Sequence, residues 1–234
     1  MRTVSISQLW SRAWDLFKVN WLLLLGLYVL LSIIVSLIPS NRALIVGLLL
    51  LPALVQAGYL VARQGQSSFG EAFRDISLLR KVFAYYLILA LIALIPGILT
   101  GVGYILVRDT AETGGILLLV GCIPLFILYL FGWAGPYAIL SGRAGIFDAI
   151  GQSFSLTAQN FGKVFLALLS FIGLLIFVHI SGLVVSLKGF DSVWTLMGYL
   201  MWILMGYLIV LPMGSIFLPL LYFALTGEEG ASHA

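Results

Sequence analysis

Six stretches of this 234-residue chain run for at least twenty residues without an Asp, Glu, Lys or Arg: Val19–Ile38, Ala43–Ala62, Val82–Val107, Gly115–Leu140, Val164–Leu187 and Trp194–Leu225. A run of roughly 20 apolar residues spans the ~30 Å hydrocarbon layer of a bilayer as a helix. Burying a charge at its centre costs about 3 kcal/mol or more, which is the reason charges gather between such runs. Composition agrees: 62% of residues are hydrophobic and 9% charged, against about 25% charged in a soluble domain. A water-soluble fold has no means of covering so much apolar surface. The expected class is an all-α polytopic membrane protein with six transmembrane helices.

The basic residues between the runs set an orientation. The N-terminal segment and the second–third and fourth–fifth connections carry Arg2, Arg12, Lys18, Arg63, Arg74, Arg80, Lys81, Arg143 and Lys163, whereas the other side holds Arg42, Arg108 and Lys188. The positive-inside rule puts the first group, and both termini, in the cytoplasm. The first run is long enough to span and lacks a small-residue cleavage pattern after it, so a cleaved signal peptide is not expected.

An internal repeat subdivides the chain. Ahead of the first, third and fifth runs lie segments with apolar residues at helical spacing. Ile6, Leu9, Trp10, Ala13, Trp14, Phe17 and Trp21 share one face, opposite Ser7, Gln8, Ser11, Arg12, Asp15 and Lys18. A gapless shift of 140 residues brings Ile146, Ala149, Ile150, Ser153, Phe154, Thr157 and Phe161 onto the same positions, with Asn160 matching Asn20. The middle copy, Phe69, Ala72, Phe73, Ile76 and Leu79, follows and then drifts. Ser5-x-x-Gln8 and Ser68-x-x-Glu71 are capping-box patterns, and Gly145-x-x-Asp148 is a weaker version. The expected unit is one interfacial helix plus two membrane helices, repeated over about 5–63, 68–140 and 145–226, with 227–234 a short tail. Trp10, Trp14, Phe17, Phe69, Phe73, Ile146, Ile150 and Phe154 are the candidates for contact with lipid or the membrane interface; bracing of the bundle is the competing role for the same faces.

With these residues in view, the chain resembles the YciC-like bacterial inner-membrane proteins and the membrane domain joined to some glycerophosphodiester phosphodiesterases. The stretch Ala144–Phe161 carries most of the similarity, with Ile95-Pro96-Gly97-Ile98 and the Trp14–Trp21 segment adding to it. The loop between the first two runs is shorter than in that family. The resemblance implies a polytopic protein of the bacterial cytoplasmic membrane and transfers no catalytic residues.

Catalytic chemistry finds little material in the apolar runs. Gln56 and His179 are the candidate intramembrane polar side chains, and a lone histidine is no metal site. Cys122 has no partner for an internal disulfide. P-loop, dinucleotide and CxxC patterns are absent from the sequence. Pro96, Gly97, Pro136 and Pro212 are candidate helix breaks, which either line a cargo site or act as supported kinks. The expectation is a non-enzyme without cofactor that contacts membrane lipids and other membrane proteins and no nucleic acid. Three roles remain open: a scaffold or regulator, a lipid-interacting protein, and a small transporter or channel for an apolar or amphiphilic solute.

Overall fold

A computed structural model describes residues 5–37, 40–107, 110–187 and 193–228, and side chains at 5–30, 33, 51–107, 110, 112–174, 176–177 and 209–228. Every regular element among them is helical: α1 (Ile6–Leu37), α2 (Ser40–Gln64), α3 (Phe69–Ala72), α4 (Ile76–Leu106), α5 (Ala111–Gly132), α6 (Gly135–Leu140), α7 (Ile146–Gln159), α8 (Phe161–Leu187) and α9 (Val193–Thr226). Four described stretches are long and apolar enough to cross a membrane: Ile6–Leu30, Ile76–Leu106, Glu112–Leu140 and Ile209–Thr226. The pair Ile146–Gln159 and Phe161–Leu174 makes a fifth if it is one broken span. The chain divides into two compact units, Met1–Asp75 with Gly162–Ala234, and Ile76–Phe161.

In the first unit, α1 packs on α2 and α9, and α2 on α9 and α3. The buried stripe of α1 is Leu9, Ala13, Phe17, Asn20, Leu24 and Leu27, a three-and-four spacing that keeps one seam against its neighbours. Asn20 is the polar member of the stripe and closes the loop after α2. Its Nδ2 donates to the carbonyls of Leu16 and Gly65, both at 2.9 Å, and its Oδ1 accepts from Ser67 N–H at 3.3 Å. Helix α9 forms much of this core, with Ile216, Phe217, Leu220, Leu221 and Phe223 buried. Pro219 lacks an amide and so releases the Ser215 carbonyl four residues earlier. Gly58 of α2 lies against that carbonyl so closely that a Cβ there would collide with it.

The second unit is built on the α4–α5 hairpin and the α6–α7 turn. The hairpin closes through glycines: a Cβ at Gly103 would meet Leu118 N and Gly114 O, and one at Gly121 would meet Thr100 and the Pro96 carbonyl. Gly97 and Gly101, spaced as a helix-packing motif, face open space instead. Only 11% of the apolar window of α4 and 17% of that of α5 is buried. Leu91, Ile95, Ile105, Ile116 and Leu119 are all more than 60% exposed, a surface suited to lipid rather than water.

The three segments expected to be equivalent interfacial helices take three forms. Ser5 and Gln8 exchange capping hydrogen bonds (3.0 and 3.3 Å), and the helix they open runs without interruption into α1, because Ile6–Leu25 holds no glycine or proline. Ser68 and Glu71 form a complete capping box, but α3 is four residues long. The Ser68 backbone N–H donates to the Glu71 carboxylate at 2.9 Å and holds its titration below the usual carboxylate range. The third segment is a separate 14-residue helix, α7, ending at Asn160. Asn160 Nδ2 donates to Leu156 O at 3.1 Å as Asn20 does to Leu16. Gly162, standing where the first copy has Leu22, weakens helical continuation there.

Candidate functional site

The proline breaks differ in kind. Helix α4 continues through Pro96 and Gly97, and α9 through Pro212 and Pro219. At Pro136 the chain leaves the helix, with Trp133 and Ala134 forming a turn between α5 and α6. Pro136 has no N–H for the Gly132 carbonyl, and Tyr85 Oη of α4 donates to it instead at 2.7 Å. The Ala134 N–H, which an unbroken helix would give to Leu130, donates to Ser153 Oγ of α7 at 3.1 Å. Ser153 in turn donates to Phe131 O. Thr157 Oγ1 accepts from Trp133 Nε1 at 3.1 Å and reaches the Leu130 carbonyl at 3.5 Å. Ser153 and Thr157 are fully buried between these helices. The groups released by the break are therefore taken up by neighbouring helices, and this is a braced kink.

Gln56 is also engaged structurally. It is buried on α2, and its Nε2 donates to the Glu71 carbonyl of α3 at 3.4 Å, fastening the loop that follows α2. His179 lies on α8 where side chains are outside the described residues.

The aromatic candidates separate into two groups. Trp10 is stacked on Phe217 (ring centroids 4.2 Å) and Phe171 (6.3 Å), and its Nε1 donates to Ser170 Oγ at 2.9 Å. Phe17 is buried, and Trp14, stacked on it at 5.8 Å, is 42% exposed. Phe69 is exposed and rests on Phe73 at 5.2 Å. Ile146 and Ile150 are half-buried, and Phe154, on the margin of exposure, packs on Phe131 at 5.0 Å. Trp10 thus holds α1 to α8 and α9, whereas Trp14 keeps one face exposed. Trp10→Ala is expected to lower stability by about 3 kcal/mol and Trp14→Ala by less than about 1 kcal/mol, read as thermal unfolding in detergent. Equal losses at the two positions would contradict this division.

An opening that the sequence did not single out lies at one end of the first unit. It is a cavity of about 240 Å³ lined by Gln8, Leu9 and Arg12 of α1, by Leu220, Phe223 and Ala224 of α9, and by Glu228. Gly227 ends α9 in the left-handed region (φ 72°), its N–H bonded to Phe223 O at 3.0 Å, and the next residue joins the lining. Tyr59 of α2 stacks on Phe223 behind it at 5.3 Å. Leu9, Leu220, Phe223 and Ala224 make the lining partly apolar, and Gln8, Arg12 and Glu228 are its polar members. Arg12 Nη2 is buried and meets no hydrogen-bond acceptor. Leaving such a group unsatisfied costs about 1–3 kcal/mol, more when charged, so the cavity favours a guest that brings an acceptor. On helical periodicity Gln8 and Arg12 belong to the polar face of α1. Their partners arrive from the other end of the chain, which spacing along one helix does not reveal.

Among the described residues no three His, Cys, Asp or Glu side chains come together as metal ligands. The chain matches no known protein-family model, no curated protein and no solved structure.

Proposed function

We propose that this chain is a non-catalytic integral membrane protein that engages membrane lipid. The cavity beside Arg12, with both apolar and polar residues in its lining, carries the reading. It lies at the ends of two stretches long enough to span, Ile6–Leu30 and Ile209–Thr226, and Asp15, Lys18 and Arg63 mark the same end of the first unit as polar. Headgroups sit at that level of a bilayer. In the second unit, the exposed apolar sides of α4 and α5 are a separate surface suited to lipid. Transport is the weaker reading, because the Pro136 break keeps its carbonyls engaged within the protein and the Gln56 amide nitrogen is given to the α3 loop, which leaves only its Oε1 without a partner.

The fuller architecture belongs to the same proposal: six spans, both termini in the cytoplasm of a bacterial cell, and kinship with the YciC-like proteins. The asymmetry of basic residues supports the orientation. A reporter fused after Ala234 is expected to read cytoplasmic and one inserted at Glu112 external; the reverse would overturn it. The lipid reading itself is tested by native mass spectrometry of the full chain released gently from its own membranes. Phospholipid retained at fixed stoichiometry is expected. A stoichiometric protein partner with no retained lipid would instead assign a scaffold.

A further inference from the structure

The charges around the Arg12 cavity differ in what answers them. Glu228, in the lining, and Arg63 of α2 both act electrostatically on the Tyr59 hydroxyl, so a guanidinium stands near that carboxylate. Lys18 is answered by Asp15 at 2.8 Å. Arg12 is not answered. Its Nη2 is buried without an acceptor, and among the described residues burial acts on its charge while no carboxylate does. Two guanidiniums thus stand against one carboxylate, and the surplus positive charge is the one that lines the cavity.

A guest that neutralises Arg12 brings one net negative charge. Burial sharpens that preference, because an unpaired charge removed from water is costly and its pairing is screened little by salt. Guanidinium is matched to phosphate oxygens, which accept two parallel N–H bonds. Gln8 lines the cavity one helical turn before Arg12, on the same side of α1. Its Oε1 accepts from the Ser5 N–H at 3.0 Å, which fixes the amide and leaves Nε2 as the donor. A phosphate here meets donors from two consecutive turns of α1. A zwitterionic head group also carries a cation beside its phosphate, which would approach Arg12 and Arg63; a head group without that cation has no such conflict.

Size narrows the guest further. At about 240 Å³ the cavity is smaller than the roughly 300–1,000 Å³ of sites that enclose a whole drug-sized ligand. A head group fits and acyl chains remain outside. Leu9, Leu220, Phe223 and Ala224 suit the glycerol end where the chains begin.

We infer that this cavity binds the phosphodiester of a net-anionic phospholipid, with the phosphate at Arg12 and the Gln8 amide. The inference rests on the lipid-engaging function proposed above and adds the charge class of the lipid.

The test uses the full chain in mild detergent with phosphatidylglycerol, phosphatidylethanolamine and phosphatidylcholine of identical acyl chains, supplied one at a time and in competition. Adducts are read by native mass spectrometry. Phosphatidylglycerol is expected to be retained preferentially at one copy per chain. Arg12→Gln should weaken its retention about tenfold, as expected for loss of hydrogen bonds to a charged group, and Arg12→Lys should recover part of it. Lys81→Gln removes an exposed charge from the second unit and should change nothing; an equal loss there would reduce the effect to general surface charge and sink the site. Thermal unfolding of each variant without lipid separates lost binding from lost fold. If Arg12→Gln does not fold, the head-group competition of the unaltered protein and of Lys81→Gln decides. Retention of all three lipids without preference would overturn the anionic assignment and leave the lipid-engaging function standing. Retention of none would overturn both. Glycerophosphoglycerol or inorganic phosphate displacing the lipid at equal concentration would assign the site to a soluble phosphate compound and remove the lipid as its source.

Discussion

Replacing Gly58 by leucine is expected to destabilise the first unit by about 3 kcal/mol or more, as overpacking against an unyielding neighbour does. The neighbour is the backbone carbonyl of Ser215, with the Ser215 side chain also in the way. Backbone cannot swing aside as a flexible side chain can. Two features combine here: Pro219 leaves that carbonyl without its helical donor, and glycine on α2 admits the helix to direct contact with it. Alanine at Gly58 should already show much of the effect, because the collision begins at Cβ. Alanine at Gly97 and at Gly101 provides the contrast, since a Cβ at either meets nothing within 4 Å. Both should be neutral or stabilising by up to about 1 kcal/mol through helix propensity. Thermal unfolding in one detergent reads all four variants. A tolerated Gly58→Leu beside a damaging Gly97→Ala would reverse the assignment of which glycines pack.

Ser153→Ala is expected to cost about 2 kcal/mol, because it strands two backbone groups at once. The Ala134 N–H loses its acceptor and the Phe131 carbonyl its donor, and a buried group left unsatisfied costs about 1–3 kcal/mol. Tyr85→Phe removes the donor to Gly132 O and a hydroxyl that also contacts Ser153, and should cost less than Ser153→Ala, about 1 kcal/mol. The double variant should lose less than the sum if the turn at Trp133–Ala134 relaxes once either prop is gone, since neighbours in one network are not additive. Threonine at position 153 keeps the hydroxyl and should retain more stability than alanine. A Ser153→Ala protein as stable as the parent would show that the kink at Pro136 stands without α7.

The all-helical class and two capped helix starts were legible. Both capping boxes, at Ser5-x-x-Gln8 and Ser68-x-x-Glu71, form the hydrogen bonds their residue types allow. Local chemistry decides such features, and it is written locally. The buried line of α1 was read less well. Periodicity placed Trp10, Trp14 and Phe17 on one apolar face, for contact with the membrane interface or for bracing the bundle. The helix instead buries Leu9, Ala13 and Phe17, half-buries Trp10 and leaves Trp14 outside. A wide apolar face does not state which part of it meets protein and which meets lipid, because both solvents accept the same side chains.

The repeat shows where sequence pattern and structure part. Ser153 and Thr157 stand at the positions of Ala13 and Phe17 in the first copy, and the match in spacing concealed a difference in task. Ala13 and Phe17 fill a core, whereas Ser153 and Thr157 repair the backbone of a different helix. Nothing within 146–159 names Pro136 as the reason for those hydroxyls.

By itself the sequence determined the apolar character of the spans, the helical class and the capped helix starts at Ser5 and Ser68, because charge exclusion and capping act over a few residues and need no knowledge of neighbours. Tertiary structure alone decided which glycines admit another helix, which proline breaks the chain, and that Arg12 and Glu228 share a cavity. Each of these depends on a backbone group or side chain brought from elsewhere in the chain, and steric fit and hydrogen-bond satisfaction exist only once both partners are in place.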